Sequence, residues 1–129
     1  MKNIVAVLAL CAAVHAQQAK LYTLHNFNGT TEGKAPVGAL ISDQAGNLYG
    51  VTSLGGGKNA ACYQNTNDGC GTVFELVAPP SRGGTWTFQT LYRFTGGVDG
   101  GLPAGGLVMN AQGFLYGVTN AGGDMTNPQ

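Results

Sequence analysis

Beyond residue 16, apolar and polar positions alternate in short runs with a period of two, and no stretch carries a helical period. Residues 38–42 and 47–52 flank the tetrad Asp43-Gln44-Ala45-Gly46. An Asp opening the tetrad and a Gly three positions on predict a type I turn closed by a left-handed Gly, and so a hairpin. Residues 105–109 and 114–119 flank Asn110-Ala111-Gln112-Gly113 in the same way. Residues 71–77 alternate Val73, Glu75 and Val77 against Phe74 and Leu76. After a Pro- and Gly-rich stretch, residues 85–94 are expected to place Trp86, Phe88, Thr90, Tyr92 and Phe94 on one strand face. The pattern is all-β.

The runs are also periodic among themselves. Residues 23–56 align without a gap on residues 90–123, at an offset of 67, and 16 of those 34 positions are identical. Pro36, Gly38, Leu40, Gly46, Leu48, Tyr49, Gly50, Val51 and Thr52 are among the residues that recur. Nearly half identity over an ungapped window exceeds what Gly-rich composition produces, and a fixed period of this size means one supersecondary unit used again. Copy one runs over about 23–89 and a truncated copy two over about 90–129. Each unit reads as four short antiparallel strands. The strand at 48–52 is apolar or small on both faces, as a strand covered by neighbouring sheets would be. Gly50 and Gly117, in mid-strand, suit a close approach by such a neighbour. Four-stranded units packed face to face describe blades of a β-propeller, here an incomplete one of about two blades. Residues 20–27 align on 87–94, the fourth strand of a unit. With no preceding blade, that strand is expected to be edge-like, loosely packed or borrowed by the neighbouring sheet.

The N-terminus differs from everything after it. Residues 4–14 form an apolar run of 11 behind a single Lys2, too short for the roughly 20 residues that span a bilayer. Val14-His15-Ala16 places small residues where signal peptidase reads them. Residues 1–16 are thus a signal-peptide helix cleaved between Ala16 and Gln17, with the repeat region at 17–129. Cleavage removes Cys11 and leaves Cys62 and Cys70, an even pair in a chain bound for an oxidising compartment. A metal site would need further soft ligands, and the mature chain offers one His and no other Cys, so a disulfide within this polar loop is expected.

Charge and chemistry narrow the field of functions. Only 9% of residues are charged and the formal net charge is zero, which excludes the basic face of a nucleic-acid binder. Losing Lys2 leaves five basic and six acidic residues, so no electrostatic partner is implied. His25 has Tyr92 as its repeat counterpart, which treats the position as an ordinary strand residue rather than a catalytic one. Asp43 and Asn110 are turn openers whose side chains should bond the turn backbone. Glu32 and Asp99 lie in matching Gly-rich loops. Neither they nor residues 65–68 show the alternating oxygen ligands of a calcium loop. The Gly clusters at 55–57 and 96–97 lack the Lys-Ser/Thr of a phosphate loop. No catalytic, cofactor or metal residue is assigned. Trp86 reads as one position on a packed strand face.

The succession Pro-x-Gly-x-Leu-(x)5-Gly-x-Leu-Tyr-Gly-x-Thr-(x)2-Gly-Gly (residues 36–56 and 103–123), Gly-Thr-Val-Phe-Glu-Leu (71–76) and Leu-Tyr-Arg-Phe-Thr-Gly-Gly-x-Asp-Gly (91–100) resembles the GloVer tandem repeat of exported bacterial proteins. The resemblance covers most of residues 21–123 and implies a secreted or surface-anchored array of several units, with no defined reaction. On that footing the chain is expected to be the N-terminal fragment of an extracellular or cell-surface protein. It would act as a binding or structural scaffold whose partner is an extracellular glycan or protein. The competing expectation is part of a propeller-fold glycan-acting hydrolase or lyase whose active site lies in other blades. Its signature would be ionisable residues that break the repeat symmetry. The visible asymmetries, His25/Tyr92 and Lys34/Gly101, do not form such a constellation.

Overall fold

The computed structural model describes residues 21–57, 62 and 68–123, and every regular element among them is a strand. In chain order these are β1 Lys34–Ser42, β2 Leu48–Leu54, β3 Thr72–Val77, β4 Thr87–Arg93, β5 Gly101–Pro103, β6 Val108–Met109, β7 Leu115–Tyr116 and β8 Thr119–Ala121. The first four make one antiparallel sheet in the order β1-β2-β3-β4. This is the arrangement in which every connection joins neighbours, as local hairpin closure favours.

The first hairpin forms because its turn chemistry is satisfied locally. The Gly46 amide donates to the Asp43 carbonyl at 3.2 Å and the Asp43 amide to the Asn47 carbonyl at 3.1 Å. Gly46 adopts φ 87°, a left-handed conformation that an L side chain resists. The second hairpin repeats this closely. Gly113 donates to Asn110 at 3.0 Å, Asn110 to Phe114 at 3.0 Å, and Gly113 has φ 86°.

Strand register repeats as well. β1 pairs Lys34 with Leu54, Pro36 with Thr52, Ile41 with Tyr49 and Ser42 with Leu48. Displaced by 67, these become Gly101 with Ala121, Pro103 with Thr119, Val108 with Tyr116 and Met109 with Leu115, which are the pairs of β5 with β8 and β6 with β7. The second hairpin is therefore the first one split into two short ladders, joined by the Ala104 amide donating to the Val118 carbonyl at 3.3 Å. Even the two non-glycine residues with left-handed backbone among the described residues, Ala35 and Leu102, both at φ 53°, stand 67 apart.

The core is built on the two faces of the large sheet. On one face, Phe74 and Leu76 of β3 are buried, with Phe88 of β4 stacked on Phe74 at a ring separation of 5.7 Å. On the other, Val51 and Val73 meet Leu107, Leu115 and Gly117 of the second hairpin around a cavity of about 260 Å³. Where β2 pairs with the start of β3 lies a buried polar knot. The Thr52 and Thr72 hydroxyls are 2.8 Å apart, the Thr72 amide donates to the Thr52 hydroxyl at 3.1 Å, and the Thr72 hydroxyl donates to the Glu32 carbonyl at 3.0 Å. Fully buried hydroxyls are tolerated because each has partners.

Three expectations need correction. Trp86, Phe88, Thr90, Tyr92 and Phe94 do not share one face. A register shift makes Phe74 pair with Thr90 but Val73 with Tyr92. This bulge near Leu91 turns Tyr92 and Phe94 toward the Val51 side while Phe88 stays with Phe74. Gly50 makes room for side chains of its own sheet rather than a neighbouring one: a Cβ there would lie 2.6 Å from the Phe74 ring and 2.7 Å from Leu40. Finally, residues 21–27 form no strand. They cross over the large sheet, where His25 stacks on Phe88 at 4.2 Å and Phe27 meets Phe74 edge-on at 5.1 Å.

Candidate functional site

Three kinds of feature carry whatever the molecule presents: two acid-closed loops, two turns that bound a groove, and a disulfide. The acid-closed loops are residues 28–33 and 95–100. In the first, the Glu32 carboxylate accepts from the Asn28 amide at 2.9 Å and pairs with His25 Nε2 at 3.1 Å. The Asn28 side-chain oxygen accepts from the Thr30 and Glu32 amides. In the second, the Asp99 carboxylate accepts from the Thr95 amide at 2.9 Å, from the Thr95 hydroxyl, and from the Tyr92 hydroxyl at 2.9 Å. The bond from the Thr95 hydroxyl, helped by those from the Thr95 amide and Tyr92, holds the Asp99 carboxyl below the ordinary carboxylate range against some burial. The Tyr92 hydroxyl is raised in turn, first by its bond to Asp99.

His25 and Tyr92 thus do the same task with different chemistry. Each puts a ring-borne polar atom onto the acid seven residues on, and each ring meets the aromatic two residues later, at 5.2 and 5.1 Å. Glu32 and Asp99 close loops and hold no constellation with a nucleophile.

The turns are pinned likewise. Asp43 accepts from the Asn47 amide at 2.9 Å, the Asn47 side chain at 2.9 Å and the Tyr49 hydroxyl at 3.0 Å. Partial burial opposes its ionisation, but the bonds from Asn47 and Tyr49 outweigh that and lower its pKa. Tyr49 also donates to Glu75 at 3.0 Å. Burial and the two carboxylates push its phenol up to about 12. Asn110 repeats the turn role, accepting from the Gln112 and Phe114 amides. The two turns lie side by side and bound an open groove of about 670 Å³, with Gln44 and Gln112 exposed on its rim.

Cys62 and Cys70 are bonded to each other, with Cα atoms 5.3 Å apart. Their location is the part that sequence reasoning missed. Both are buried, and the bridge sits on the seam between the large sheet and the second hairpin. The Leu102 amide donates to the Cys70 carbonyl at 2.8 Å, and a Cβ on Gly101 would collide with the Cys62 sulfur. This explains the Lys34/Gly101 asymmetry. Lys34 extends to Asp68 of the Cys loop at 2.6 Å, whereas Gly101 must leave space for the bridge. The signal was present as a departure from the repeat; its cause was a bridge whose cysteines lie 39 and 31 residues away in sequence.

The signal segment with its Ala16–Gln17 cleavage site, residues 65–67 of the proposed oxygen-rich stretch, and the end of the second unit lie outside the described residues. Among the described residues, no cluster of three His, Cys, Asp or Glu could hold a metal ion, and no helix is long and apolar enough to cross a membrane. Compared with known proteins, the chain matches no family model, no curated protein and no solved structure.

Proposed function

We propose that the protein is an exported, surface or extracellular scaffold made of propeller-blade units, which presents loops and turns for binding rather than carrying a reaction. The observation that bears most of this reading is the double construction of three polar side-chain roles. Glu32 and Asp99, Asp43 and Asn110, His25 and Tyr92 each sit in the same hydrogen-bonded role 67 residues apart. A catalytic group is singular and exposed to its substrate, whereas these are paired and spent on backbone geometry. The turn groove, where equivalent turns stand together with the exposed Gln44 and Gln112 side chains, is the surface best suited to a polar ligand such as a glycan or a protein loop.

Export is supported by the apolar leader and by the buried Cys62–Cys70 bridge, which suits an oxidising compartment. The motif resemblance points the same way. A fusion of the chain to alkaline phosphatase, which is active only where its own disulfides form, tests the reading. High activity that disappears when residues 1–16 are deleted is expected. Equal activity with and without them would contradict it.

A further inference from the structure

The loop at residues 28–33 contains the only Asn-Gly step in the chain, Asn28-Gly29. Such a step has a chemistry of its own. The main-chain nitrogen that follows an Asn can attack the side-chain carbonyl, and a side chain on the second residue obstructs the approach. Gly carries none. Nothing lies within 4 Å of where a Gly29 Cβ would stand, so the surroundings add no shield, and Asn28 itself is exposed. The nearby Asn26 is followed by Phe27, whose bulk hinders the same closure.

The second unit builds the same loop without a carboxamide. Thr95 stands at this position, and its amide donates to Asp99 as the Asn28 amide donates to Glu32. The Thr95 hydroxyl accepts from the Gly97 amide at 3.3 Å, where the Asn28 side-chain oxygen accepts from the Thr30 amide at 2.9 Å. A hydroxyl therefore suffices to close the loop, and only the first unit holds a group that reacts with its own backbone. That group is also tied down further. Its oxygen accepts from the Glu32 amide and the Thr30 hydroxyl, both at 3.2 Å, and its nitrogen donates to the Thr31 hydroxyl at 3.0 Å. Ring closure onto Gly29 must break the bond at the nitrogen, which is the leaving group, and free the carbonyl to move.

We propose that Asn28 is a one-way modification site, converted to aspartyl and isoaspartyl residues by its own backbone at a rate set by the opening of loop 28–33. In the opened loop the Gly29 nitrogen gives its proton to solvent base and bonds to Cγ of Asn28. The Cγ–Nδ2 bond breaks and that nitrogen leaves as ammonia. Water then opens the five-membered imide at either carbonyl, so the net change is one water taken up and one ammonia released. When the main-chain carbonyl is the one hydrolysed, it becomes a free carboxylate. The former side-chain carbonyl then joins the main chain, which is longer by one methylene.

The first unit feels that change because this loop ties its strands together. The Thr30 carbonyl accepts from the Gly56 amide at 2.6 Å and the Gly57 amide at 3.2 Å, just beyond β2. The Thr31 carbonyl accepts from Arg93 Nε at the end of β4 at 3.2 Å, and the Glu32 carbonyl from the buried Thr72 hydroxyl at the start of β3. An added methylene displaces these carbonyls, and a second carboxylate in the loop of Glu32 opposes its charge. Conversion thus loosens the loop that restrained it. The site belongs to residues 25–33 and the strands they touch, and it does not depend on export.

The test is incubation of the purified, disulfide-bonded chain at mildly alkaline pH, folded and in urea, followed by peptide mass spectrometry and isoaspartate-specific methylation. Trypsin releases residues 21–34 as one peptide, in which Asn26 is the internal control. Conversion should fall on Asn28 alone, and run at least about tenfold slower in the folded chain, as local opening of a hydrogen-bonded loop requires. E32A removes the acceptor of the Asn28 amide and should bring the folded rate most of the way to the urea rate. N28T, which copies the second unit, should fold as wild type and form no isoaspartate. Aged wild type should melt below fresh wild type, and aged N28T should not. Equal rates in the folded chain and in urea would overturn the proposal. So would an intact Asn28 after an incubation about a hundredfold longer than conversion takes in urea, or an unchanged melting temperature after conversion. If E32A fails to fold, T31V, at an exposed position, removes the partner of the leaving nitrogen and carries the same comparison.

Discussion

At the residue scale, the molecule satisfies its few polar groups so completely that single atoms matter. Replacing Thr52 with Val keeps shape and volume but removes the acceptor for the Thr72 amide and the donor to the Leu54 carbonyl. Leaving buried polar atoms unpartnered costs on the order of 1–3 kcal/mol, so urea unfolding of T52V should show a midpoint loss of that size with an unchanged slope. Tyr49 gives a pH signature. Its phenol is raised to about 12 in the folded protein against about 10 when unfolded. The stabilisation from its bonds to Asp43 and Glu75 is thus complete below pH 10 and is lost as pH rises through 12. Absorbance titration at 295 nm should show one tyrosine ionising near pH 12, and Y49F should abolish that step. Asp43 and Asp99 act in the opposite direction. Their folded pKa values are depressed, so their contribution is present above the ordinary carboxylate value and is lost as pH falls through the lowered one.

At the scale of elements, both hairpins, all four strands of the first unit and the disulfide partners were legible in the sequence. They depend on local signals: the Asp-x-x-Gly and Asn-x-x-Gly turns, period-two alternation and an even cysteine count. What escaped depends on contacts between distant segments. The bulge beside Leu91 leaves no mark in an alternating run, because the residues on both sides of it are aromatic or β-branched whichever face they take. Residues 21–27 look like a strand because they copy one, but without neighbours to pair with they pack through the His25 and Phe27 rings instead. The bridge was placed on a polar loop because its flanking residues are polar, while the cysteines themselves turn inward onto Gly101. A bridge closing so short a loop stabilises by about 2–3 kcal/mol through chain entropy. Its position adds a specific expectation. In C62A/C70A, amide exchange should accelerate most in β5 and β8, which lie across the seam, and less in β3 and β4. Uniform acceleration across all strands would assign the bridge to global stability alone.

At the scale of the whole molecule, one hairpin is built twice and the two copies meet face on face, and the proposed function adds that the chain is exported. The internal interface should behave as a true core contact. Trimming Leu107 to Ala should cost about 2–5 kcal/mol, whereas the same change at Leu40 should cost well under half as much because that face is open. Equal losses at the two sites would contradict the packing of Leu107 against the first unit. The claim of export is tested most directly by mass spectrometry of unreduced peptides from the protein recovered outside the cytoplasm. The account predicts a first residue of Gln17 and a peptide pair linked through Cys62 and Cys70. An intact Met1 on cytoplasmic material, with both thiols freely alkylated, would contradict it.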